Sequence, residues 1–261
     1  MHPGNGPGAA EQWESRDNVK KMKWAVFDLG TLVMGLWAMK LRQKTELAYD
    51  WKGLFDWGHP AAEGLMWVSG LFLLGLCLLT WAWVREEDRV GLGSGWLRGS
   101  LSVLAGVLLA LDMSHGLSSI PRGYLLTALL AGGAMILGGM WQMLGRSSRG
   151  LFPGAVCLFY LSSLLYSYRI WGANSHLERF VFPLVGGIGA MIFALHRAEA
   201  EAGTSRPRRS VISGYTAIFC AVIAMAEPSS RIFALSVILW TLGNLCPIDP
   251  EPQPRTEEAQ P

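Results

Sequence analysis

Residues 125–144 read LLTALLAGGAMILGGMWQML and contain no charged side chain. An uninterrupted run of this length matches the roughly 20 apolar residues that an α-helix needs to cross a bilayer. Residues 65–84 and 151–168 form two more such runs, and short charged or turn-forming stretches separate the runs. Because a helix satisfies its own backbone hydrogen bonds in lipid, the pattern predicts an all-α membrane protein with its helices arranged as hairpins.

The same pattern predicts a bundle of about eight transmembrane helices, in a single polytopic domain at 21–246. The tails at 1–20 and 247–261 are rich in Gly, Pro and polar side chains, so we expect them to be disordered. Residues 45–57 are too charged to cross, but their apolar positions share one helical face, which predicts a short interfacial helix after the first span. The predicted spans are 24–41, 62–84, 97–114, 122–144, 151–171, 177–196, 210–226 and 229–246.

The distribution of basic residues predicts the orientation. When eight spans are counted, fourteen of the 22 Lys and Arg fall on the side of the N-terminus and the remaining eight on the other side. Cytoplasmic segments carry the excess of Lys and Arg in membrane proteins. We therefore expect a multi-pass protein of the cytoplasmic (inner) cell membrane, with both termini cytoplasmic and the Arg-rich break at 197–209 on the same side.

Composition argues against several classes of function. A net charge of +2 is too small to indicate nucleic acid as a partner, so the predicted partner is the lipid bilayer. The sequence contains no catalytic motif and no cofactor-binding motif that we recognise, so we expect neither an enzyme nor a cofactor. None of the four cysteines has CxxC spacing, and no metal site is predicted.

Small residues recur at helix-packing spacing in three of the predicted spans. In lipid, close approach of backbones over small residues drives helix association. The pattern leaves open whether these contacts form within one chain, in a homo-oligomer or with a partner subunit. The residues concerned are Ser102, Gly106, Ala110, Ala134, Gly138, Gly186, Ala190 and Ala194.

Polar and charged side chains converge on the predicted outer ends of spans three to eight. One interpretation is an outward-facing polar pocket that binds a small charged solute. The alternative is a set of headgroup contacts, helix caps and salt bridges between helices, such as Glu227 with Arg231. The candidate binding residues are Asp112, His115, Tyr166, Arg169, His176, Arg179, Glu227 and Arg231.

Two carboxylates lie inside predicted spans, where an unpaired charge is costly. Asp112 follows an apolar turn, and we expect it to face the bundle and meet a donor from another hairpin, with Arg169, Arg179 or His176 as the candidates. Asp28 lies about one turn into the first span. It is interpreted either as a proton or cation site, or as the partner of a lysine or of a helix end.

Residues 161–194, with Tyr168-Arg169 at one helix end, and the segment Met225-Ala226-Glu227 resemble multi-span bacterial membrane proteins that have no assigned activity. The resemblance covers roughly the second half of the chain and implies only class and location. From the residues, the leading hypothesis is small-solute binding or transport through the outer polar pocket. The alternative is a non-transporting membrane scaffold or regulatory subunit that acts through helix contacts.

Overall fold

A computed structural model describes residues 7–45, 59–85, 95–115, 121–146, 148, 150–171, 181–204 and 206–245. These residues form eight α-helices and contain no strand. A 3₁₀ turn at Pro228–Ser230 leads directly into the last helix. The helices are α1 Pro7–Thr45, α2 Pro60–Trp83, α3 Trp96–His115, α4 Arg122–Met143, α5 Leu151–Trp171, α6 Val181–Glu201, α7 Pro207–Ala224 and α8 Arg231–Leu245.

Helix α1 begins at Pro7, within the segment 1–20 for which the sequence predicts disorder. Extending an existing helix adds one hydrogen bond per residue fixed, and Ala9, Ala10, Glu11 and Gln12 all have high helix propensity, so the first span propagates backwards. The predicted interfacial helix after Thr45 and the C-terminal tail at 247–261 lie outside the described residues.

Six of the helices are long and apolar enough to cross a membrane, which makes this an integral membrane protein. They are Met22–Thr45, Pro60–Trp83, Trp96–Ser114, Arg122–Met143, Leu151–Arg169 and Val181–Glu201. Large apolar side chains on their outer faces, such as Trp67, Leu71 and Trp81 of α2, are exposed and suit contact with lipid. α7 carries two arginines in its first turn, and α8 has only 15 residues, so neither belongs to this group.

Helices α3 to α8 pack in chain order into a ring, which closes where α8 packs against α3. α8 also contributes side chains to the centre of this ring. Its Trp240 is buried against Tyr160 of α5 and Phe193 of α6, and its Ser236 Oγ donates to the Ala105 carbonyl of α3 at 2.8 Å. Helices α1 and α2 pack on each other and on α7 outside the ring.

Close helix contacts involve several of the small residues that the sequence singled out. A Cβ atom added to Gly106 of α3 would lie 2.6 Å from the Gly132 carbonyl oxygen of α4, and one added to Gly186 of α6 would lie 3.0 Å from Cys220 Cβ of α7. Ala190 and Ala194 of α6 are completely buried. These contacts lie within one chain. Ala110, by contrast, is exposed on α3.

Candidate functional site

The ring has two ends with different chemistry. We call the end where α4, α6 and α8 finish and α3, α5 and α7 begin the basic end, because Arg98, Arg146, Arg197, Arg206 and Arg209 lie there. At the other end, which we call the opposite end, α3 and α5 finish and α4 begins. The candidate residues that the structure describes lie at the opposite end.

The structure brings only some of those candidates together. Tyr166 of α5 stacks on Tyr124 of α4, with ring centroids 4.7 Å apart. The half-buried Asp112 of α3 is close enough to Tyr124 to act on it electrostatically. Arg169 is exposed on α5. Outside the described residues lie His176, Arg179 and the side chain of His115. His176 and Arg179 are two of the three partners predicted for Asp112.

Glu227 and Arg231 make other contacts. The Glu227 carboxylate lies 3.9 Å from the Arg42 guanidinium, so it joins the loop after α7 to the end of α1. Arg231 Nε donates to the Met225 carbonyl oxygen at 3.2 Å, within its own turn. Both side chains therefore make contacts at helix ends, as in the alternative interpretation of the sequence. The partner of Glu227 is Arg42, whereas the example given from the sequence was Arg231.

Hydroxyl groups extend the contact around Tyr124 along the α4–α5 interface. The Tyr124 hydroxyl lies 3.4 Å from Ser163 Oγ, and Thr127 Oγ1 lies 2.7 Å from Ser162 Oγ. We call Asp112, Tyr124, Ser163 and Tyr166 the tyrosine cluster. All four side chains are partly buried. The cluster combines one carboxylate with two aromatic rings and hydroxyl groups, a combination that suits a cationic ligand.

The basic end holds a buried ion pair that the sequence analysis missed. Arg197 Nη2 lies 3.2 Å from Glu201 Oε1 one turn along α6, and the two side chains are only 5% and 6% exposed. Glu201 Oε2 also accepts hydrogen bonds from Ser148 Oγ and from the Gly150 backbone N–H, which fixes the α4–α5 connection against the end of α6. Gly150 has a φ of 87°, and a Cβ there would lie 2.7 Å from the Ala198 carbonyl oxygen, so this approach requires glycine.

A chain of amides continues from this end into the ring. Gln142 Nε2 donates to Asn244 Oδ1 at 2.9 Å, and Asn244 Nδ2 donates to the Trp240 carbonyl at 2.8 Å and to Ser102 Oγ at 3.3 Å. A shallow cleft between α4 and α5 reaches these side chains, and its empty space, open solvent included, is about 320 Å³. Arg146 lines the cleft, and its guanidinium lies 5.7 Å from the centroid of the Trp141 ring.

Asp28 is held at a third position, outside the ring. The Tyr215 hydroxyl of α7 donates to Asp28 Oδ1 at 2.7 Å, and the Tyr215 ring stacks on Phe27 with centroids 5.4 Å apart. The partner is therefore a tyrosine on a distant helix, whereas the sequence analysis considered a lysine or a helix end. This arrangement joins α1 to α7.

The sequence analysis missed Tyr124, Gln142, Asn244 and Glu201 as site residues. A usable signal existed for two of them, because an amide side chain in an apolar span commonly bonds to a neighbouring helix. Within the described part of the chain, no group of three His, Cys, Asp or Glu side chains is placed to hold a metal ion. No protein-family model, curated protein or solved structure matches this chain.

Proposed function

We propose that this membrane protein binds a small organic cation at the tyrosine cluster, as the binding step of a solute-transport role. The observation that carries the proposal is the position of Asp112, a carboxylate in an apolar helix whose charge acts on Tyr124, the ring that stacks on Tyr166. Ionisable side chains within membrane spans commonly mark solute or ion pathways.

The chemistry of the cluster favours a cation over an anion. A carboxylate attracts positive charge and repels negative charge, and the faces of tyrosine rings attract cations through their quadrupoles. Hydroxyl groups such as Ser163 add acceptors for an ammonium N–H.

The proposal includes eight spans with the basic end facing the cytoplasm. Although α8 alone extends only about 22 Å at 1.5 Å per residue, the turn at Pro228–Ser230 lengthens it toward the opposite end. Single cysteines at Thr204 and at Gly123, both exposed, test the orientation in intact cells. An impermeant thiol reagent should label Gly123→Cys and leave Thr204→Cys unlabelled; the reverse pattern, or labelling of both, contradicts this topology.

The binding proposal is tested with purified protein and three probes: tetramethylammonium, choline and, as an anionic comparison, acetate. The cations should raise the thermal unfolding temperature and acetate should not. Asp112→Asn should lose most of the cation effect. Asp28→Asn is the matched control, because Asp28 is also a membrane carboxylate but bonds to Tyr215, and it should keep the effect.

Two results would count against the proposal. One is a cation effect that Asp112→Asn leaves intact while Asp28→Asn removes it. The other is a wild-type protein whose thermal unfolding temperature responds to tetramethylammonium and choline no more than the change in ionic strength explains.

The second candidate is a membrane scaffold or regulatory subunit. It is favoured by the filled centre of the ring, where Trp240 and Ser236 of α8 contact α3, α5 and α6. A scaffold needs a stable surface but no solute. Stable co-purification of one partner membrane protein, together with no response to any of the three probes, would make this the better function.

A further inference from the structure

The cleft at the basic end has a polar part and an apolar part. Toward the end of the bundle it is polar, with Gln142, Arg146 and Ser148. One to two helical turns farther into the bundle it is apolar, with Ala134 of α4 and Val156 of α5. This order, charged at the membrane boundary and apolar deeper in, matches the order of headgroup and acyl chain in a phospholipid.

The charges around the cleft favour an anion. Arg146 lines it and is exposed, so its charge is available to a ligand. Glu201 is the other charged side chain in the described lining, and it is already paired with Arg197 at 3.2 Å. The positive charge of Arg146 therefore remains for a ligand at the cleft. A phosphate group at the cleft would offset it.

Hydrogen bonding at the same place is incomplete. Gln142 Oε1 is buried and has no hydrogen-bond partner among the described residues. Gln142 lines the cleft, so a ligand that carries a hydroxyl donor beside its phosphate would suit this acceptor. Satisfying this buried acceptor gives such a ligand a source of binding energy.

The position of the cleft also suits a lipid. Trp141 and Phe152 line the cleft, Trp141 is exposed, and tryptophan rings concentrate at headgroup level. The enclosed part of the cleft has room for about one water molecule, so a phosphate would have to bind at the mouth, beside Arg146. Basic pockets between membrane helices are known sites for anionic headgroups.

We infer that the mouth of this cleft binds the headgroup of an anionic glycerophospholipid, with Arg146 on the phosphate and an acyl chain along the α4–α5 seam. The inference is independent of the proposed cation site, which lies at the opposite end. A free phosphate ester shares the same chemistry, and the experiment below separates the two sources.

The test measures lipid retention by native mass spectrometry of the purified full-length chain. Equal amounts of dioleoyl phosphatidylglycerol and dioleoyl phosphatidylcholine are added in detergent, with and without excess glycerol 3-phosphate. The wild-type protein should retain phosphatidylglycerol preferentially. Arg146→Gln should weaken this retention about tenfold, because a charge-assisted hydrogen bond contributes roughly 1.5 kcal/mol or more, and Arg146→Lys should restore part of it.

Arg209→Gln is the matched control, because Arg209 is an exposed arginine at the same end that does not line the cleft. It should retain phosphatidylglycerol as the wild type does. Equal retention of the two lipids, or equal losses in Arg146→Gln and Arg209→Gln, overturns the inference. Full displacement of the lipid by glycerol 3-phosphate overturns it as well, because the ligand would then be a soluble phosphate ester. Arg146 is exposed, so unfolding should not obscure the result; circular dichroism checks this.

Discussion

The basic end and the opposite end both place polar side chains between helices, but they hold them differently. At the basic end, Arg197 and Glu201 form a buried ion pair, and Glu201 accepts hydrogen bonds from the α4–α5 connection. At the opposite end, Tyr124, Thr127 and Ser162 are partly buried and share neutral hydroxyl contacts.

The two ends differ in how much stability is lost when one side chain is removed. Removing one partner of a buried ion pair leaves an uncompensated charge, whereas a hydroxyl group between helices is replaced at little cost. We therefore expect the basic end to be the more firmly held end of the bundle and the opposite end to rearrange more easily.

The largest expected effect is at Glu201. Glu201→Gln should lower the free energy of unfolding by about 3–5 kcal/mol, because Arg197 then stays buried without its counter-charge. Denaturant unfolding in detergent, followed by circular dichroism, measures the change. Glu199→Gln is the control, since Glu199 pairs with His196 at 2.9 Å and is 31% exposed. Equal losses in the two variants would show that burial of the pair is not what fixes this end.

Glycine substitutions compare the backbone packing of the two ends. A Cβ on Gly139, near the basic end, would lie 2.5 Å from the Gly99 carbonyl oxygen, whereas a Cβ on Gly123, at the opposite end of the same helix, meets nothing within 4 Å. Gly139→Ala should cost about 1–3 kcal/mol through overpacking. Gly123→Ala should be neutral or slightly stabilising, because alanine favours the helix by roughly 0.5–1 kcal/mol. Thermal unfolding of both variants tests this; similar shifts would contradict it.

Hydropathy was sufficient to predict the helices. Runs such as 65–84 and 125–144 can satisfy their backbone only as helices in lipid, and α2 and α4 occupy those positions within a few residues. The end of α6 was not predictable in this way. Arg197 and Glu201 were assigned to a loop because they are charged, yet α6 continues to Glu201 and buries both.

Contacts between distant helices were also beyond the sequence. The bonds from Tyr215 to Asp28 and from Asn244 to Ser102 join positions more than a hundred residues apart. A single sequence carries no periodic signal for such pairs, because they depend on which helices become neighbours. Asp112 and Tyr166 were candidates from the sequence, whereas Tyr124, which stacks on Tyr166, was not identified.

The Asp28–Tyr215 pair tests whether the fixed region extends outside the ring. Tyr215→Phe keeps the stacking on Phe27 but removes the donor to the carboxylate, so we expect a loss of about 1.5–3 kcal/mol for a hydrogen bond to a charged group. Tyr168→Phe is the control, because Tyr168 is 76% exposed. Chemical unfolding in detergent gives both values. A loss in Tyr215→Phe no larger than in the control would mean that α1 is held to α7 by apolar packing alone.

The smallest expected effect is at the opposite end, in the hydroxyl contact between Thr127 and Ser162. Each hydroxyl also reaches a backbone carbonyl of its own helix, Thr127 Oγ1 to Tyr124 at 2.9 Å and Ser162 Oγ to Phe159 at 2.8 Å. Removing either side chain therefore leaves the other satisfied. A double-mutant cycle with Thr127→Val and Ser162→Ala should give a coupling of about 0.6 kcal/mol, the size typical of hydrogen bonds between membrane helices. If the coupling instead approached the loss at Glu201, the opposite end would be as firmly held as the basic end. The tyrosine cluster would then lack the freedom to adjust to a solute, and the scaffold function would gain support.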